Sequence, residues 1–186
     1  MSHEAVTALE ALIERCCDDP ARSWLGAARR EVAAGCPVDR LASVSAMAAR
    51  RLGRSPCAGV EDHTDTSHGA LSLRGWSAGD AGRALLLLAV PAPPRSERVE
   101  AVYRLGDEGE RISTIRALAL LTPDDSLREL ALEAGRTNSL PLFTALGHGN
   151  PYPASTFGAG SFNQLVLKAL FLGVGVEGMV GLRERA

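Results

Sequence analysis

Residues 77–94 read Ser-Ala-Gly-Asp-Ala-Gly-Arg-Ala-Leu-Leu-Leu-Leu-Ala-Val-Pro-Ala-Pro-Pro. The run from Ser77 or Asp80 to Leu88 carries a helical signal, and Pro91, Pro93 and Pro94 end it because proline brings no amide to continue the hydrogen-bond ladder. Four consecutive leucines, Leu85 to Leu88, point to all sides of such a helix. No amphipathic surface helix would carry them, so this segment is expected to be central and buried on most sides.

Outward from it, apolar residues recur at helical spacing. Val6, Leu9, Leu12, Ile13 and Cys16 mark a helix from His3 to Cys17, closed by Pro20. A second runs from Ala21 to Ala34 before Gly35 and Pro37. Asp39 is the expected N-cap of a third, lined by Leu41, Val44, Ala48 and Leu52 and stopped by Gly53. Beyond the leucines, a helix from about Ser96 to Gly106 turns Val99, Val102, Tyr103 and Leu105 inward, and Arg111 to Leu121 follows. Thr122 as N-cap, Pro123 at the first helical position and Asp124 and Asp125 in the first turn open a helix through Leu127, Leu130, Leu132 and Ala134 to Gly135. Shorter helices are expected at Leu140–Leu146, Phe162–Leu172 and Val176–Arg185. Residues 53–75 form a long loop, with Pro56, Gly59, Gly69 and Gly75 among polar residues.

Composition agrees. The 186 residues include 29 Ala, 26 Leu and 19 Arg, all strong helix formers, against 15 Ile and Val together. The expected fold is all-α, one domain over residues 1–186. Antiparallel helices of roughly 11 to 16 residues joined by tight turns resemble the stacked hairpins of HEAT-like repeats, in a right-handed superhelical arrangement, although no sequence period marks a repeat.

Several function classes drop out. Twenty basic residues against 22 acidic ones, for a net charge of −2, leave no basic surplus for a nucleic-acid duplex. The longest uninterrupted apolar run, Ala84 to Ala92, falls short of the roughly 20 residues a membrane span needs. His3, Glu4 and Glu10 stand where a secretory leader would be basic and then apolar, so a cytoplasmic address is expected. Cys16, Cys17, Cys36 and Cys57 form no C-x-x-C pair, and four reduced, mostly structural thiols are expected. The chain lacks nucleotide-binding glycine motifs, a G-x-S-x-G elbow and a His-Glu-x-x-His zinc motif. In Asp62-His63-Thr64-Asp65-Thr66-Ser67-His68 two imidazoles and two carboxylates suit a divalent metal by type, but their spacing matches no helix face, and a solvated polar loop is the expectation. No metal and no cofactor are expected.

The C-terminal third differs in kind. All three asparagines, the only glutamine, the only lysine and five of the eight aromatic residues lie between residues 138 and 171. Within it, Gly147-His148-Gly149-Asn150-Pro151-Tyr152-Pro153 is a conformationally fixed loop, because the glycines permit left-handed angles and each proline restricts the residue before it. Such a loop holds the imidazole of His148, the amide of Asn150 and the phenol of Tyr152 in set directions, as a polar ligand site requires. Equally, it is a rigid connector whose Asn caps a turn and whose Tyr plugs the core. On the next helix Gln164 and Lys168, four apart, are neighbours. Asn163 falls near the buried boundary, where its amide needs a loop backbone or a bound molecule. Lys168 otherwise reads as a surface charge. Arg111, Arg116, Arg136 and Asn138 adjoin these helices, on the surface or gathered around an anionic or polyhydroxylated ligand.

These strings carry a resemblance. Arg111-Ile-Ser-Thr-Ile-Arg-Ala-Leu-Ala-Leu-Leu, Glu133-Ala-Gly-Arg-Thr-Asn, His148-Gly-Asn-Pro-Tyr-Pro-Ala and Phe162-Asn-Gln-Leu-Val-Leu-Lys-Ala-Leu-Phe resemble the EboA family, most densely over residues 104–172. The resemblance implies a cytosolic all-helical protein from a bacterial secondary-metabolite cluster, encoded beside a prenyltransferase-like membrane protein and sugar- or cyclitol-type enzymes. It implies a non-catalytic role in binding a small metabolite or precursor, or helping traffic it towards the inner membrane. It brings no catalytic residues to transfer. The candidate ligand-binding positions are His148, Asn150, Tyr152, Asn163, Gln164, Lys168, Arg111 and Asn138. The alternatives are a pathway enzyme, with His148 as general base and Tyr152 or Lys168 polarising a sugar- or cyclitol-like substrate, and a scaffold for the cluster's enzymes, marked by an exposed apolar patch.

Overall fold

The computed structural model describes residues 3–58, 63–93 and 95–185. Gly59 and Asp62 of the polar loop, and Pro94 of the proline stop, lie outside the described residues. The fold is all-α with one small hairpin. In order come α1 (His3–Cys16), α2 (Asp19–Ala33), α3 (Val38–Leu52), β1 (His63–Thr66), β2 (Gly69–Ser72), α4 (Ala78–Ala89), α5 (Arg95–Leu105), α6 (Glu108–Ala117), α7 (Asp125–Gly135), α8 (Leu140–Gly147), α9 (Tyr152–Thr156) and α10 (Ala159–Phe171). A single 3-10 turn, Leu118–Leu120, extends α6.

Helix α4 is the centre, as the leucine block predicts. Leu85, Leu86, Leu87 and Leu88 are all buried, and α1, α2, α3 and α6 pack around them. Burying four leucines contributes on the order of 6–12 kcal/mol before chain entropy is counted. Its N-terminal half is built from small residues for a different reason: it approaches α3 closely. The Gly79 amide donates to the Gly53 carbonyl at 3.0 Å, and a β-carbon on Gly79 would stand 2.9 Å from the α-carbon of Ala49. In the C-terminal half α5 packs on α6 and α7, and α8 on α6 and α7.

Several boundaries shift because a residue expected to end or cap one element serves another. Pro20 opens α2 rather than closing α1, with Asp18 as the side-chain cap. Asp39 lies inside α3, which starts at Val38. The cap of α7 is Asp124, whose carboxylate accepts from Ser126 N at 2.9 Å, so Thr122 and Pro123 precede the helix. Residues 176–185, expected as a helix, form turns; Gly178 and Gly181 interrupt them, the latter at φ +77°.

The stretch expected as a long loop is the main correction. It holds an antiparallel hairpin, with Thr64 opposite Leu71 and Thr66 opposite Gly69. Thr64, Leu71 and Leu73 are buried. His63, Thr64, Asp65 and Thr66 pair as strand backbone, and among the described residues no group of three or more His, Cys, Asp or Glu is placed to hold a metal. The thiol expectation is also overturned. Pro56 bridges Ser77 and the Cys57 amide bonds the Trp76 carbonyl, which brings Cys57 back over the end of α1. There it is disulfide-linked to Cys16, with α-carbons 6.2 Å apart, while Cys17 and Cys36 are free. A separation of 41 residues gives no spacing signal to read. No helix of the described residues is long and apolar enough to cross a membrane.

Candidate ligand-binding cleft

Two local motifs set one wall. Ser77 and Asp80 form a capping box at the start of α4: the Ser77 hydroxyl accepts from Asp80 N at 3.1 Å, and the Asp80 carboxylate accepts from Ser77 N at 2.9 Å. This turns Asp80 back towards α6. There its two oxygens accept from the Ser113 hydroxyl at 2.6 Å and from Arg116 Nη1 at 3.1 Å. Ser113 in turn accepts from Arg83 Nη1 at 3.2 Å, and Arg83 Nε donates to the Ser45 carbonyl at 3.0 Å. The chain Arg83–Ser113–Asp80–Arg116 places two cations around one carboxylate. Burial pulls the Arg83 guanidinium below its ordinary pKa, opposed by the nearby charges of Glu110 and Asp80.

The guanidinium of Arg116 lies over the Trp76 ring, 5.8 Å from its centroid. Both line a cleft of about 630 Å³. Leu71, Ser72 and Arg74 of the hairpin region form one side; Ile112 of α6 and Leu140, Pro141, Thr144 and Ala145 of α8 form the other. The loop His148–Asn150 and Gly178 complete it. Its charged lining residues among the described ones are Arg74 and Arg116. Past Ile112 and Arg116, which belong to both, a second cleft of about 510 Å³ is lined by Arg50, Arg54, Arg83, Asp80, Asp107 and Glu110 among others.

The loop is fixed by its own chemistry. Gly149 sits at φ +62°, its amide donates to the Gly178 carbonyl at 2.8 Å, and its carbonyl accepts from Ser72 N at 2.7 Å. A β-carbon there would stand 2.5 Å from that of Ser72, so only glycine fits. Asn150 is buried and fully employed: its amide donates to the carbonyls of Ile115 and Ala145, both at 3.1 Å, and its oxygen accepts from Tyr152 N at 3.1 Å. His148 lines the cleft, and its Nε2 is buried without a protein partner.

Tyr152 is completely buried, packed on the ring of His68 with centroids 4.9 Å apart. Its hydroxyl finds no protein partner, and burial raises its pKa well above the ordinary tyrosine value, with Asp124 adding to the shift. His68 Nε2 is 2.9 Å from the Leu121 carbonyl, which can only accept. Nε2 therefore donates to it, while Nδ1 lies 2.6 Å from the Ser155 hydroxyl, which itself donates to the Tyr152 carbonyl at 3.0 Å.

The eight candidate positions thus divide. His148 and Asn150 line the large cleft, and Tyr152 is the core plug beside it. Gln164 and Lys168 line a separate cleft of about 290 Å³, which shares no lining residue with the first. Lys168 is not a free surface charge: Nζ donates to the carbonyls of Gly135 at 3.0 Å and Thr137 at 2.6 Å, closing the end of α7. It lies 5.3 Å over the Phe143 ring, and desolvation lowers its pKa. Asn163 is exposed rather than at the buried boundary, because α10 turns Phe162, Leu165 and Ala169 inward. Asn138 is exposed as well. Arg111 donates to the Tyr103 carbonyl at 3.2 Å, at the end of α5. His148 and Lys168 therefore line different clefts, and Tyr152 is buried in the core. Trp76 and Arg83 are not singled out by sequence, Asp80 is read only as a possible helix start, and His68 only as part of a polar loop. The signals were present: the Ser77-x-x-Asp80 box, and a lone arginine on an otherwise apolar helix.

A family model described as metabolite traffic protein EboA matches residues 5–186. The chain belongs to the EboA family. The EboA match extends beyond the 104–172 segment to take in α1–α4 and the hairpin, so the Trp76–Arg116 wall lies within it. No curated protein and no solved structure matches the chain.

Proposed function

We propose that this EboA-family chain is a non-catalytic accessory protein that binds a small metabolite in the cleft between the hairpin region, α6 and α8. One observation carries the reading: a concavity of about 630 Å³ forms where the fixed His148–Asn150 loop meets Trp76 and Arg116. That volume falls within the roughly 300–1,000 Å³ of small-molecule sites, and an apolar lining with a few convergent polar groups is their usual character. The description of the family as metabolite traffic proteins supports it. In this reading His148 and Asn150 belong to the site, the metabolite or its precursor is handed towards the inner membrane from the cytoplasm, and the cluster's enzymes or its prenyltransferase-like membrane protein are the partners.

The test is thermal unfolding with metabolite extracts of a producing cell, in the native chain and in Thr144→Trp, which fills the cleft from α8. A ligand at 100 times its dissociation constant adds about 2.7 kcal/mol. The native chain should gain that stabilisation and the filled variant should not. Equal stabilisation of both would place binding elsewhere, and no stabilisation by any fraction would end the reading.

The scaffold reading has one observation behind it. On α10 Phe171 is 90% exposed and Leu167 and Leu170 more than half exposed, three apolar side chains on one helix face. Loss of partner-enzyme binding in Leu167→Glu/Phe171→Glu, with metabolite binding intact, would favour it.

A further inference from the structure

The hairpin side of the cleft is fastened at its base. The Cys57 amide donates to the Trp76 carbonyl at 2.9 Å and Pro56 bridges Ser77, so the chain leaves for the hairpin and returns from it at one place. Leu71, Ser72, Arg74 and Trp76 of the cleft lining all lie on the stretch that this pairing closes. Two attachments tie the base to the end of α1: the Cys16–Cys57 disulfide, and a solvent-exposed hydrogen bond from Arg15 Nε to the Ala58 carbonyl at 2.9 Å. Only the disulfide is covalent.

Cys16 is exposed and Cys57 half-buried, so an incoming thiol reaches the bond from the Cys16 side. The neighbouring Cys17 is occupied elsewhere: its thiol donates to the Leu52 carbonyl at 3.5 Å, and burial raises its pKa, with Asp18 adding to the shift. We propose that the Cys16–Cys57 bond is a redox-modification site for a dithiol of the thioredoxin class, and that its reduction loosens the hairpin-side wall of the cleft. The class of reductant rests on the cytoplasmic address proposed above, because disulfides in reducing compartments are usually transient or redox-sensing. One sulfur of the dithiol, as thiolate, attacks Cys16 Sγ; the bond to Cys57 breaks, and Cys57 leaves as a thiolate that takes up a proton. The second sulfur then displaces Cys16 from the mixed disulfide. Two electrons and two protons pass to this chain, which ends with two thiols, and the dithiol ends as a disulfide. The lost cross-link spanned 41 residues and restricted the opened chain, so its removal favours local opening of the base. Trp76 lies beneath Arg116 and lines the cleft, so the wall opens with its base.

Thiol counting and hydrogen exchange on the full-length chain test the two halves. Alkylated in denaturant, the untreated chain should carry two groups, on Cys17 and Cys36, and four after the folded chain has been incubated with reduced thioredoxin. In the reduced chain the amides of Cys57 and Trp76 should exchange with deuterium at least about tenfold faster, while α7 and α10 stay unchanged. Cys57→Ser should exchange fast without reductant, and Cys36→Ser should respond to thioredoxin as the native chain does. If Cys57→Ser fails to fold, the native chain in its two redox states carries the comparison. Four alkylated thiols before treatment, or two after it, overturn the modification site, and reduction by dithiothreitol alone overturns the class of reductant. Reduction with unchanged exchange at Cys57 and Trp76 overturns its reach to the cleft. No ligand enters these measurements, so each such failure leaves the small-molecule reading standing, and failure of every metabolite to bind leaves the redox site standing.

Discussion

Asn150 illustrates how one side chain can look like a ligand group and be a fastener. Its amide joins the end of α6 to α8 and its oxygen holds Tyr152 N, so all three bonds stabilise the loop that carries His148. Removing it takes a hydrogen bond from each of three backbone groups, and a buried group left without a partner costs about 1–3 kcal/mol. Asn150→Ala should therefore lower unfolding stability by about 2–5 kcal/mol in urea titrations, and Asn150→Asp should be comparably damaging because it lacks the donors. A change under about 0.5 kcal/mol, typical of surface substitutions, would contradict that role. Sequence analysis found this residue through the flanking prolines and left its purpose open. Its partners, Ile115 35 positions away and Ala145, are set by the packing of α6 on α8, which local pattern does not encode.

At the scale of elements, the sequence made the helices legible wherever one face alternates with polar residues, and α4 legible through its leucines. It failed at the hairpin for a physical reason. The turn between Thr66 and Gly69 is Ser67-His68, not one of the Asn-Gly or Asp-Gly pairs that mark tight hairpins, and the strands are four residues each. Their stability comes from contacts outside themselves: His68 against Tyr152, and Ser72 N to the Gly149 carbonyl. The α3–α4 contact is a second non-local feature. Gly79→Ala pushes a methyl against the Gly53 carbonyl and the Ala49 backbone, so it should destabilise by about 1–3 kcal/mol despite alanine's better helix propensity. A rise in melting temperature would mean that the two helices are not held at this distance.

For the whole molecule, acid sensitivity follows from pairs such as Glu133 on α7 and Arg104 on α5. Hydrogen bonds from Arg104 hold Glu133 below the ordinary glutamate value of 4.5, against a smaller opposing effect of burial. The unfolded chain has no such partner, so the pair's contribution is fully present above that value and is lost as pH falls through the lower folded one. Both side chains are nearly half exposed, which keeps the effect small. Glu133→Gln should lower the melting temperature slightly at neutral pH and flatten its decline between about pH 5 and 3; an unchanged slope would show that the pair adds nothing. Neither this pair nor the convergence of Trp76, Arg116 and His148 could be read from sequence, since each joins elements whose relative placement depends on α4 and α6. The Gly149 peptide has a further consequence. Its carbonyl takes the Ser72 amide and its own amide reaches Gly178, so one peptide unit stitches the hairpin, the α8 loop and the C-terminal segment along the cleft rim. The backbone protons of Ser72 and Gly149 should therefore be protected from exchange with deuterium, and more strongly so when the cleft is filled.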